Sequence, residues 1–218
     1  MIPEKEKLPI IIAISGASGT VYGLRILQFL LENNYKIEFV ISSGSSKVAQ
    51  SEIGLNLSMN PEILKEQVLS YLKLEGGKGK FLKVWAHDDI SASISSGSYK
   101  TDSMVIIPAS MGTVARIACG ISDNLITRAA DVCLKERRKL ILVPREMPFS
   151  TIHLENLVKL STSGAIIAPA SPAFYHNPKN LSDIVDFVVG KVLDLLEIEH
   201  SAFKRWREES KFNLSLKS

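Results

Sequence analysis

The sequence predicts a doubly wound α/β fold on a parallel sheet. Three observations predict it. Short continuous apolar runs read as strands buried on both faces, amphipathic helical patterns lie between them, and clusters of Gly, Ser and Pro follow the strands directly. With 218 residues and 45% hydrophobic content, the chain can bury one independent core. We therefore expect a single domain over residues 1–218, with polar tails at 1–9 and about 207–218.

The first strand, residues 10–15 of IIIAISGASGTVYG, feeds a Gly-Ser turn that opens into a helix over 21–31. That helix carries Leu24, Leu27 and Leu31 on one side. A second strand spans 37–42, and 81–86 is a weaker candidate. EGGKGK at 75–80 is a flexible connection, whereas SASISSGSY at 91–99 interleaves Ala92 and Ile94 among its serines and should be partly ordered. A strand at 104–108 precedes a helix over 125–138 that buries Ile126, Ala129, Ala130 and Cys133. Strands at 140–144 and 165–169 follow. The last helix, 181–196, has the plainest i, i+3, i+4 pattern, running from Leu181 through Val185, Val188 and Val192 to Leu196.

The 26 basic and 23 acidic residues leave a net charge of +3, too balanced to argue for nucleic acid or a membrane surface. The densest basic run, KERRK at 135–139, reads as a solvated helix end, where cations are favoured. Cys119 and Cys133 lack metal-ligand spacing and fall in helical apolar patterns. They read as buried free thiols, as expected in a reducing cytoplasm. The opening MIPEKEKLP has no signal-peptide apolar stretch, and no segment reaches the length of a membrane span.

The unusual residues stand where strands end: SGASG, SSGSS, PASMGT, PREMP and PASPAFYH. In an open parallel sheet these carboxyl ends form the edge where ligands bind. A helix N-terminus offers unpaired N–H groups and partial positive charge, so SGASG suits a phosphate, although a tight structural turn explains it equally well. It matches neither a P-loop nor the G-x-G-x-x-G fingerprint. PASMGT repeats the arrangement, with a helix starting at about Gly112, and two such loops point to a phosphorylated, mononucleotide-like ligand. Prolines on both sides of Arg145 and Glu146 hold them at the edge as a phosphate clamp and a proton handler, in preference to a surface ion pair. PAFYH offers an aromatic wall and a phenol. Its His176 has no sequence partner, and His87 and His153 have no special context.

Together, ISGASGTVYGLRILQFL, SISSGSY, PASMGTVARIACGISDNLITRAADVCLKERRKLILVPREMP and PAFYHNPKNLSDIVDFVVGKVLDLL closely resemble the UbiX-type flavin prenyltransferases. The resemblance runs from about Ile10 to Trp206. It implies a flavodoxin-like Rossmann architecture, a dodecamer built from trimers, and metal-free joining of dimethylallyl phosphate to reduced FMN. The prenylated FMN would supply a UbiD-type decarboxylase. By position, FMN would be held by Gly16, Ala17, Ser18, Ser42, Ser110, Met111, Gly112, Thr113 and Arg145. The allyl phosphate would meet Arg128, Lys135, Arg145, Tyr175 and Lys191, drawn from neighbouring subunits. Ser18, Glu52 and Glu146 match positions implicated in catalysis and proton handling.

Two departures stand out. Ser43-Gly44 replaces a common Lys-Ala after the second strand, and Lys191 replaces a common arginine, keeping the charge without the fork. A cysteine decarboxylase of the same fold would call for a Pro-x-Met-Asn-x-x-Met segment where this chain reads PREMPFSTIH. A flavin carrier without turnover would not need the Lys135, Arg145, Tyr175 and Lys191 cluster.

Overall fold

The computed structural model describes residues 8–205. The expected polar tails therefore lie outside the described residues, apart from Leu8 and Pro9. Six strands form one parallel sheet: β1 (Ile10–Ile14), β2 (Ile37–Ile41), β3 (Leu82–Trp85), β4 (Ser103–Ala109), β5 (Lys139–Pro144) and β6 (Ile166–Ile167). Their order is β3-β2-β1-β4-β5-β6, and every neighbouring pair is parallel. Without the edge strand β3, the remaining five follow the flavodoxin order. β6 is shorter than the expected 165–169. Ala168 and Ala170 donate to Leu142 O and Pro144 O, but Pro169 between them has no N–H to continue the ladder.

Six helices connect these strands: α1 (Thr20–Glu32), α2 (Ser43–Ile53), α3 (Pro61–Tyr71), α4 (Met111–Ala118), α5 (Leu125–Lys135) and α6 (Thr151–Thr162). Alternate strand residues Ile11, Ala13, Val40, Met104, Ile106 and Leu142 share one buried core with apolar side chains of α4, α5 and α6. α1 buries Leu24, Leu27 and Leu31 as expected and touches β1, β2 and β4. Each such leucine contributes about 1.5–3 kcal/mol.

α2, α3 and α6 were not among the expected helices. Each buries only two residues, so none writes an apolar stripe into the sequence. α5 stops at Lys135, three residues before the expected 138, because Arg137 takes a left-handed φ of 56°. The basic run beyond it is only partly a solvated end. Arg138 is half-buried and donates to Tyr99 O at 2.8 Å and Thr101 Oγ1 at 3.2 Å, fastening the serine-rich segment to the start of β5. In that segment Ala92 and Ile94 are buried, as expected. One free thiol departs from expectation. Cys133 is buried and burial pushes its pKa up to about 12, whereas Cys119 is exposed because it caps the C-terminus of α4, past the buried stripe.

β2 also carries a buried carboxylate that the apolar run concealed. Glu38 is 4% exposed and accepts hydrogen bonds from Trp85 Nε1 and, at 2.5 Å, from the Tyr99 hydroxyl. Burial and the Glu38 carboxylate together raise the Tyr99 phenol to about 12.

By its internal contacts the chain divides at Ala170 and Ser171 into two compact units. The second contains α7 (Leu181–Leu195), which matches the expected last helix. Within that unit the His176 ring stacks on Phe187, with centroids 5.1 Å apart, and Tyr175 meets Phe187 edge-on. Asp194 gathers Arg205 at 2.7 Å, His200 at 3.0 Å and Lys191 at 3.4 Å. Burial opposes its ionisation, but the hydrogen bonds from Arg205 and His200 outweigh it and lower its pKa.

Candidate active site

The sheet reverses its winding between β1 and β4, and the loops leaving these strands part there. Ser15, fully buried, ties the two loops together. Its hydroxyl donates to Pro108 O at 3.0 Å and accepts from Ser110 N at 2.7 Å. Beside this junction lies an open cleft of about 330 Å³. Its walls include Gly16 after β1, Ser42 after β2, and Ser110 and Thr113 after β4. The expectation that the odd strand-end residues converge on one edge is met by these four.

Gly16 and Gly44 meet backbone to backbone. A Cβ on Gly16 would lie 3.3 Å from the Gly44 main chain, and one on Gly44 would lie 3.4 Å from Gly16 Cα. The Ser43-Gly44 departure thus has a physical sense: the small residue lets the turn after β1 press against the start of α2.

Helix capping separates α1 from the rest. α2 to α7 each begin on a Ser or Asn whose side chain accepts an N–H of the first turn. α1 begins on Gly19 with φ of 108°, a conformation suited to glycine, and has no cap of its own. Its cap comes from α2. The Glu52 carboxylate accepts from Gly19 N at 2.9 and 3.0 Å and from Thr20 N at 3.0 Å. Burial works against the charge on Glu52. The Ser18 hydroxyl and the two N–H groups outweigh it and hold the pKa below the usual carboxylate range. Ala17 N is also engaged, donating to Ser15 O at 2.8 Å. A phosphate at residues 16–18 would therefore meet an N-terminus whose Ala17, Gly19 and Thr20 donors already have acceptors within the chain.

Arg145, at the end of β5, donates from Nε to Ser18 O at 3.1 Å. Tyr22 feels the charges of both Arg145 and Glu52. Burial raises its pKa, the Arg145 charge lowers it in part, and Glu52 raises it further. Ser18, Tyr22, Glu52 and Arg145 thus form one cluster drawn from three parts of the chain. Glu146 next to it is exposed, and its carboxylate accepts from Met147 N at 3.0 Å.

The remaining expected residues lie elsewhere. Arg128 on α5 donates to Ser95 O at 3.2 Å and pairs with Asp131 at 3.1 Å. Lys135 ends α5, ten residues from the Leu125 end, so about 15 Å of helix separates it from the end that borders the cleft. Lys135 pairs with Glu136 at 3.9 Å. Tyr175 and Lys191 belong to the second unit.

Sequence reasoning passed over Tyr22, His87, Arg116 and Asp123. His87 lines the cleft, and burial lowers its pKa against the opposing charges of Asp88 and Asp123. Its signal was available: it stands two residues past β3, on the same edge as the loops already singled out. Arg116 and Asp123 lie inside or after a helix and carry no such mark.

The family described as Flavoprotein matches residues 3–193. The flavin prenyltransferase UbiX of Pseudomonas aeruginosa is 44% identical over 200 residues, 92% of this chain and 94% of that protein. The crystal structure of AnUbiX (PadA1) in complex with FMN and dimethylallyl pyrophosphate superposes with a TM-score of 0.81 at 34% identity, covering 94% of this chain and all of that one. A dodecameric FMN-dependent UbiX-like decarboxylase from Escherichia coli O157:H7 superposes with a TM-score of 0.79 at 40% identity, covering 92% and 100% of the two chains.

Proposed function

The chain belongs to the UbiX-type flavin prenyltransferase family, and from that membership we propose that it transfers a dimethylallyl group from dimethylallyl phosphate or pyrophosphate to reduced FMN. The product would be prenylated FMN for a UbiD-type decarboxylase. The single observation that carries the reading is the Ser18–Glu52–Arg145 cluster, assembled from three elements at the ligand edge of the sheet.

The residues present fit a flavin mononucleotide. The cleft offers the hydroxyls of Ser42, Ser110 and Thr113, with Gly16 and Gly44 leaving the wall between them free of side chains. Met111, Gly112 and Ala17 lie in the same turns and would add main-chain contacts. When bound, the reduced flavin supplies the electron-rich ring that accepts the prenyl group.

The chain's own groups then have distinct tasks. Arg145 fixes the Ser18 carbonyl and brings positive charge beside the place where a phosphate leaves. Glu52 is ionised at neutral pH and accepts a hydrogen bond from the Ser18 hydroxyl, so Ser18 Oγ keeps lone pairs for a proton arriving from the substrate side. Glu146, exposed at the same strand end, provides a second proton acceptor toward solvent. Arg128, Lys135, Tyr175 and Lys191 would complete the site across subunit boundaries of a homo-oligomer, a reading supported by the 15 Å between Lys135 and the cleft end of α5. We place the enzyme in the cytoplasm, where its two free thiols remain reduced. Among the described residues no helix is long and apolar enough to cross a membrane.

The test is anaerobic incubation with reduced FMN and either allyl ester, followed by mass spectrometry of the released flavin. A flavin heavier by one prenyl group is expected. Unmodified flavin with both donors refutes the reading.

A further inference from the structure

With the α1 N-terminus capped by Glu52, a flavin phosphate needs another anchor. We infer that Arg116 of α4 binds the phosphate of FMN and makes this site selective for the phosphorylated flavin. The inference rests on the flavin reading above and adds a residue that neither the sequence motifs nor the resemblance assigned.

Arg116 is the one Lys or Arg among the described residues lining the cleft. Side chains on a helix lean toward its N-terminus, and the Arg116 guanidinium follows that lean back toward the start of α4. Nη1 donates to Gly112 O at 3.2 Å, one turn nearer the N-terminus. A Cβ at Gly112 would sit 3.5 Å from Nη1, an ordinary contact, so the guanidinium packs closely over this turn. Nε is held from the other side by Asp123 Oδ2 at 3.3 Å, just before α5. Two of its donors are thereby fixed, and the side chain remains about half exposed. A planar guanidinium fixed in this way presents its remaining N–H groups as a fork that matches phosphate oxygens.

The surroundings favour an anion at that point. The cleft wall around Arg116 is built from the first residues of three helices: Ser42 and Ser43 of α2, Ser110 and Thr113 of α4, and Asn124 of α5. Three positive helix ends add to one positive side chain. The other two ionisable groups in the wall are His87, kept toward its neutral form by burial, and Asp123, which is already committed to Arg116. The neutral hydroxyls suit a ribityl chain, which leaves the phosphate as the one charged part of FMN and Arg116 as its counterpart.

The experiment is equilibrium titration of the whole protein with oxidised FMN and with riboflavin, which lacks the phosphate, followed by flavin fluorescence. Losing a charge-assisted contact should weaken FMN binding by Arg116→Ala about ten- to one-hundredfold. Riboflavin affinity should stay within about twofold of wild type, and Arg116→Lys should recover part of the FMN loss. Asp123→Asn, which keeps an Oδ acceptor for Arg116 Nε while removing the competing negative charge, should hold or tighten FMN and serves as the independent variant if Arg116→Ala does not fold. Unchanged FMN affinity in Arg116→Ala, equal losses for FMN and riboflavin, or an Asp123→Asn variant that loses FMN selectively would each overturn the role of Arg116. Wild-type protein that binds neither flavin would overturn the flavin reading itself.

Discussion

Replacing Glu52 by alanine tests whether a carboxylate of α2 is the cap of α1. The change removes the acceptor shared by Gly19 N and Thr20 N and the partner of the Ser18 hydroxyl. Loss of an N-cap acceptor costs about 1 kcal/mol, and loss of a negative charge at a helix start about 0.3–1 kcal/mol more. Glu52 is an exposed residue, so screening keeps the sum near the low end, about 1–2 kcal/mol. For a chain of this size that lowers the melting temperature by about 2–8 °C. The pH dependence has a definite sign. A carboxylate whose folded pKa is lowered adds stability above its unfolded pKa and loses it as pH falls through the folded value. The gap between wild type and Glu52→Ala should therefore be constant above about pH 5.5 and narrow below the ordinary value of 4.5. Glu52→Gln, which keeps one oxygen acceptor, should fall between the two. Urea unfolding from pH 7 to pH 4 measures all three. A Glu52→Ala protein as stable as wild type at pH 7, or a gap that widens in acid, would refute the capping argument.

Gly16→Leu should lose flavin affinity and about 1–3 kcal/mol of stability, because its side chain must displace the Gly44 backbone; parallel titration and unfolding check it, and unchanged values in both would contradict the close approach. Lys135→Ala and Lys191→Ala should keep FMN affinity within about twofold while losing prenyl transfer by about ten- to one-hundredfold; equal loss of flavin binding in titrations would move them to the cofactor. Glu146→Gln should preserve flavin binding and slow the proton-dependent step by about 100- to 10,000-fold. Rapid mixing under anaerobic conditions reads that step, and a normal rate removes Glu146 from the proton path.

Most of the sheet was legible because its central strands are apolar runs closed by small or cyclic residues, whereas β3, with the exposed Lys83 inside it, showed only as the weaker candidate at 81–86. α2 was not legible. It buries only Ser45 and Ala49, so the helix that delivers Glu52 to Ser18 has no periodic stripe. The importance of Glu52 came from family resemblance alone. The phosphate expectation at the first turn failed to foresee a cap from 32 residues away, since no local pattern reports which acceptor a helix start will find. Arg116 escaped notice for a related reason. Its guanidinium is positioned by the Gly112 carbonyl and Asp123 together, a conjunction visible only in three dimensions.

Ser15 has a consequence for motion. Ser15 stands just past β1, and its hydroxyl donates to Pro108 O near the end of β4 and accepts from Ser110 N just beyond it, so neither turn can open without breaking a hydrogen bond of this buried hydroxyl. The two turns should therefore exchange their amide hydrogens as a single cooperative unit, with the Ser110 amide among the slowest in the loops. A ligand touching either turn would slow exchange in both. Ser15→Ala would release that coupling, letting each loop exchange at its own rate while the strands beneath stay protected.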